Sequence, residues 1–114
     1  MPIIDKPWEK QPYDQITHEF DMSKLYASLV VTGYALSAVT VLVEEEELGT
    51  DETATMVEGA VTFVGYLAYV TFKGGVTGKR YIARIRSTWT KAGSVNQLKE
   101  DEFIIVCLET GRTT

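Results

Sequence analysis

The chain has 114 residues, 45% of them hydrophobic and 24% charged, with a formal net charge of −5. This is ordinary globular composition, and the length suits one domain able to bury a core without disulfides or metals. The acidic balance argues against a broad phosphate-contacting surface, which needs clustered Lys and Arg, and a lone cysteine, Cys107, excludes an intramolecular disulfide.

Residues 1–13 hold all three prolines, Pro2, Pro7 and Pro12, together with Trp8. Proline fixes φ and lacks the amide hydrogen, so this stretch reads as an extended arm. The arm is expected to be mobile in the isolated monomer and to dock on a partner, with Trp8 as the assembly contact. The alternative is that Trp8 folds back onto its own domain. The first residues carry no basic region followed by an apolar core, so no secretory leader is expected.

Ile16, His18 and Phe20 alternate with polar residues, which predicts a first strand over 15–20. Asp21 is placed to cap a helical turn or to start a plain turn. Leu29 to Thr32 reads as a short strand ended by Gly33. Tyr26 to Val43 is uncharged, at the edge of membrane-spanning length. Its hydroxyl residues, Gly33 and the alternation of Val39, Val41 and Val43 argue for a strand over 37–45 instead. Glu44 to Glu47 and Asp51-Glu52 form an acidic loop. Thr53 to Glu58 reads as a further short strand. Val61 to Lys73 reads as one long strand broken by a bulge at Gly65.

Three glycines then fall in five residues, Gly74, Gly75 and Gly78, and predict a connection between two strands. Tyr81, Ala83, Ile85, Ser87 and Trp89 line one face of the next strand. Gly78-x-x-Tyr81 at the start of a late strand matches the tyrosine corner of immunoglobulin-like sandwiches. Lys91 to Ser94 predicts a hairpin. Phe103 to Glu109 predicts a last strand whose apolar run suits a central position. The expected fold is therefore all-β: a single immunoglobulin or fibronectin-III-like β-sandwich of about seven strands. Its domains are an arm over 1–13, the sandwich over 14–110 and a tail over 111–114.

Little of this sequence points to chemistry. Glu44 to Glu47 lack the Asp/Gly pattern of a calcium loop and read as solvated charge, although cation binding there stays open. Gly78-Lys79 is followed by Arg80-Tyr81 and a strand, not by the Ser/Thr and helix of a phosphate-binding loop. One Cys and one His, Cys107 and His18, cannot build a zinc site. Cys107 reads as a buried structural thiol. Arg80, Arg84 and Arg86 share a strand face, and a solvated outer face is the preferred reading over a nucleic-acid stripe. No catalytic residue, cofactor-binding residue or metal ligand is assigned, and no enzyme activity is expected.

Four stretches together carry a resemblance. They are Lys10-Gln11-Pro12-Tyr13-Asp14, Phe20-Asp21-Met22-Ser23, Phe72-Lys73-Gly74-Gly75-Val76-Thr77-Gly78-Lys79-Arg80-Tyr81 and Thr88-Trp89-Thr90-Lys91-Ala92-Gly93. Over roughly residues 10–108 the chain resembles small phage and prophage tail-region structural proteins of the fiber-tail adaptor kind. It departs from them at Met22, where an aromatic is usual, at Gln11, where Asp is usual, and in its four-glutamate loop. The resemblance implies a non-enzymatic virion protein of the tail or connector region, assembled in the bacterial host cytoplasm. Its partners would be other virion proteins and copies of itself, with no nucleic acid, membrane or cofactor. The alternatives are a stand-alone module that binds glycan or protein through exposed aromatics, and a small enzyme of unrecognised type.

Overall fold

The structure is a computed structural model and describes residues 8–10 and 13–107. Its elements run β1 (Trp8–Lys10), β2 (Ile16–Asp21), α1 (Met22–Leu25), α2 (Ala27–Val31), β3 (Ala35–Glu45), α3 (Thr53–Met56), β4 (Thr62–Val64), β5 (Leu67–Phe72), β6 (Arg80–Thr90) and β7 (Gln97–Cys107). Among the described residues seven strands form two sheets, ordered β1-β7-β6-β3 and β2-β5-β4. Every pairing is antiparallel except β1 with β7. The expected all-β sandwich is therefore present at the level of two packed sheets.

The core lies between the sheets because each long strand turns alternate apolar residues inward. Tyr81, Ala83, Ile85, Ser87 and Trp89 of β6 are all buried, as the period-two pattern predicts. Val39 and Val43 of β3 and Phe103, Ile105 and Cys107 of β7 extend this inner face. Phe20, Ala68, Val70 and Phe72 close it from the other sheet. Trp89 anchors one end: its ring stacks on Tyr66 at 5.8 Å, and its indole N–H donates to Ser87 Oγ at 2.9 Å. β7 runs between β1 and β6, in the interior position that its apolar end suggests.

Five expectations need correction. The sandwich begins at Trp8, not at residue 14, because Trp8–Lys10 pairs in parallel with Ile105–Cys107. A three-residue strand at a sheet edge fits between Pro7 and Pro12, since edge strands tolerate missing donors. Leu29 to Thr32 is not a strand. Asp21 caps α1 by accepting from the Ser23 N–H at 3.1 Å, and α2 follows, its end closed by the Thr32 N–H on the Ser28 carbonyl. The need to cross between sheets overrides the β-propensity of Val30 and Val31.

Thr53–Met56 is likewise a helical turn. The Asp51 carboxylate accepts from both the N–H and the hydroxyl of Thr53 and so starts it. Val61 to Lys73 is not one bulged strand but a hairpin. Val64 and Leu67 face each other across a two-residue loop, and Gly65 supplies the positive φ of 59° that the first position of a type II′ turn demands. Finally, the last strand begins at Gln97, six positions before Phe103. Its charged start is stable in the sheet because Glu100 and Glu102 lie opposite Arg86 and Arg84 of β6.

Among the described residues, no helix is long and apolar enough to cross a membrane.

Candidate functional site

The glycine-rich connection carries the chain from one sheet to the other, since β5 and β6 belong to different sheets. Gly74, Gly75 and Gly78 all take positive φ, at 64°, 97° and 89°. Gly75 is required twice over. A Cβ there would sit 2.3 Å from Cys107 Sγ, and its φ is one that side-chain-bearing residues rarely adopt. Tyr81 is 3% exposed, and its hydroxyl accepts from the Val76 N–H at 3.0 Å. The Gly78 N–H donates to the Cys107 carbonyl, and the Cys107 N–H to that of Lys79. Gly78 and Tyr81 thus form a structural corner tied to the end of β7.

Lys10 and Cys107 are register partners and both are buried. The Lys10 ammonium donates to the Gly74 carbonyl at 2.7 Å. Burial pushes the Lys10 ammonium below its ordinary range and the Cys107 thiol above its own. Burial outweighs the pull of the nearby Lys10 charge, and a thiol kept protonated in this way suits a structural group.

Trp8, expected on a free arm, packs within its own chain. Its ring meets His18 edge-on at 4.0 Å and Phe72 at 5.5 Å. Both contacts reach across to the opposite sheet, so half-burying the indole helps hold the sheets together. Burial also lowers the His18 imidazole below its usual range.

The acidic loop does not converge. Glu44 pairs with Arg84 on the outer face, Glu46 with Arg80 at 2.8 Å, and Glu45 turns inward to Lys79 at 3.1 Å. Alternation along the strand sends successive carboxylates to opposite faces. Among the described residues no group of three or more His, Cys, Asp or Glu side chains is placed to hold a metal ion.

The three arginines are matched in the same way. Arg84 bonds Glu44 and Glu102, and Arg86 bonds Glu100 at 2.6 Å. The middle of the outer face of β3-β6-β7 is therefore a ladder of mixed charge with little field of its own. Towards the β6–β7 hairpin the same face changes character. Ala38, Thr40, Thr88 and Leu98, with Arg86 and Glu100 beside them, line a dish of about 400 Å³. Leu98 is 75% exposed, and Val95 in the hairpin is similarly open. The sequence hides this patch because Leu98 stands next to Lys99-Glu100-Asp101-Glu102, which reads as solvated charge.

The aromatics give a clear result. Among the described residues only Tyr13 is strongly exposed, at 96%; the other aromatic rings are buried or half-buried. Tyr34 and Tyr66 use their hydroxyls on the backbone, on the Val95 and Tyr34 carbonyls respectively.

No family model, curated protein or solved structure matches this chain.

Proposed function

We propose that this chain is a non-enzymatic assembly module with an immunoglobulin-like sandwich, working in the tail or connector region of a phage or prophage particle. The strand order supports the fold assignment. Sheets β1-β7-β6-β3 and β2-β5-β4 follow the A′-G-F-C and B-E-D arrangement of such sandwiches. Tyr81 lies near the start of the sixth strand and bonds backbone five residues upstream, as a tyrosine corner does. The particle setting rests on the sequence resemblance alone, three of whose four stretches fall on the α1 cap, the glycine corner and the β6–β7 hairpin.

The observation that carries the assembly role is the division of the outer sheet face. Its charged middle is neutralised from within, while the dish around Leu98 leaves apolar surface in water beside polar neighbours. Apolar patches with polar rims favour protein contacts. A glycan-binding module would need an aromatic platform, and burial of the rings disfavours that reading.

Mass spectrometry of particles purified from bacteria that carry this gene tests the proposal. The chain should be present in fixed copy number relative to tail proteins. Leu98→Asp should keep the fold yet lower incorporation. Particles that lack the wild-type chain altogether remove the virion reading, and binding on a glycan array would favour the alternative.

A further inference from the structure

Asp101 lies on the inner face of β7, opposite Ile85 of β6, and is 0% exposed. The Tyr26 hydroxyl is the one donor that faces the carboxylate, and neither group reaches full hydrogen-bond geometry with the other or with any further partner. Tyr26 belongs to neither sheet. It joins α1 to α2, in the segment that carries the chain from β2 to β3, and its ring packs edge-on against Trp89 at 5.9 Å. On the β6 side the inner neighbours of Asp101 are Ala83, Ile85 and Ser87, none charged. Among the described residues the charged groups acting on it are Lys99 and Glu100 of its own strand. Lys99 sits over the Tyr26 ring at 5.9 Å, while Glu100 is held outward by Arg86. On α1 the charged side chain is Lys24, which acts on Asp21.

A neutral carboxyl can stay in such a site; an ionised one with a single, poorly placed hydroxyl donor is costly to keep out of water. Burial accordingly raises the Asp101 carboxyl above the ordinary carboxylate range. The cost is relieved most simply where the cover is thinnest. α1 and α2 are single helical turns, held by a cap at Asp21 and by the Met22 N–H on the Tyr66 carbonyl, whereas β6 and β7 are paired over ten residues. Short, locally bonded segments open first.

We propose that Asp101 and Tyr26 form a proton-operated latch between β7 and the α1–α2 crossover. With Asp101 protonated the crossover stays seated on the end of the sandwich. With Asp101 ionised it lifts, hydrating the carboxylate and uncovering the Trp89 end of the core. The latch needs no particle or partner and is independent of the assembly role.

Hydrogen exchange resolved by peptide, corrected for intrinsic rate, tests this on the full chain across acid to neutral pH. Opening of the crossover should rise about tenfold per pH unit wherever Asp101 ionises only in the open state. Amides of β6 and β7 should stay protected over the same range. Asp101→Asn should abolish the pH dependence in the crossover. Tyr26→Phe removes the donor facing the carboxylate, so it should move the midpoint to higher pH without abolishing the response. Exchange in the crossover that ignores pH, or that keeps its pH dependence in Asp101→Asn, overturns the latch. So does β6 and β7 exchange rising in step with the crossover, which would be global unfolding.

Discussion

Two tyrosines sit where the chain passes from one sheet to the other, and they are treated in opposite ways. Tyr81, after the β5–β6 crossover, buries its ring and satisfies its hydroxyl on the Val76 N–H. Tyr26, in the β2–β3 crossover, buries its ring almost as fully but leaves its hydroxyl facing the Asp101 carboxylate without full hydrogen-bond geometry. Both crossovers close an end of the same core. The first end is locked by backbone bonds between the corner and β7. The second has backbone bonds too, such as the Met22 N–H on the Tyr66 carbonyl, but leans on aromatic packing around Trp89. Directional bonds make one end rigid, and apolar contact makes the other stable without making it polar-complete.

The largest effect should come from removing the packing that holds the Tyr26 end. Trp89 is fully buried and touches both Tyr26 and Tyr66. Trp89→Ala should cost about 3–5 kcal/mol, the usual range for deleting a core aromatic. Urea denaturation measures it. A loss near 1 kcal/mol or less would mean that this end closes over the cavity and that the contrast between the two ends is weaker than drawn.

At the Tyr81 end the sharpest probe is Gly75→Ala. The added methyl meets Cys107 Sγ, costing about 1–3 kcal/mol by overpacking. The positive φ adds about 1–2 kcal/mol. Cys107→Ala in the same chain should recover the first part and leave the second. A double-mutant cycle separates the two. Strict additivity between the substitutions would show that the corner moves to make room.

These two ends also differ in how far they could be read from residues alone. The corner is written locally: Gly78 and Tyr81 are three positions apart, and the glycines that the turn needs stand beside them. The long alternation of β6 is equally plain. What failed was short and tertiary. Leu29–Thr32 and Thr53–Glu58 are rich in β-branched residues, yet Asp51, two positions before Thr53, starts a helical turn there, and Leu29–Val31 sit in a turn of helix closed by the Thr32 N–H on the Ser28 carbonyl. Gly65 and Tyr66 interrupt an apolar alternation that reads unbroken, because a two-residue loop preserves the period. Trp8 looked free because prolines flank it, while its partners His18 and Phe72 are distant in sequence. Asp101 was invisible for the same reason. Within Lys99-Glu100-Asp101-Glu102 only the register against β6 tells which carboxylate faces inward.

A smaller effect separates the ends by pH. His18 packs against Trp8, and burial holds its imidazole below the usual range. The folded pKa therefore lies under the unfolded one, near 6.5. Its contribution to stability is complete above that value and is lost as pH falls through the folded pKa. Asp101, raised by burial, runs the other way: its contribution is complete below the unfolded carboxylate pKa and is lost as pH rises through the folded value. Relative to His18→Gln, the wild-type chain should lose stability on acidification. Parallel curves for the two proteins across that range would remove His18 as a titrating partner of the core.

The smallest difference tests the two tyrosines directly. Tyr81→Phe leaves the ring in place and strips the Val76 N–H of its acceptor, so it should cost about 0.5–1.5 kcal/mol, the net worth of one hydrogen bond. Tyr26→Phe removes a hydroxyl whose one polar neighbour, Asp101, it meets without full hydrogen-bond geometry. Measured at acid pH, with Asp101 neutral, it should be close to neutral or slightly stabilising, because only a poorly formed contact to Asp101 is lost and a buried polar group is relieved. The ring contacts with Trp89 survive in that variant, so any loss reports on the hydroxyl alone. Equal losses from the two substitutions would mean that the Tyr26 hydroxyl is bonded in solution, most simply through a water shared with Asp101, and that the two crossovers are polar-complete alike.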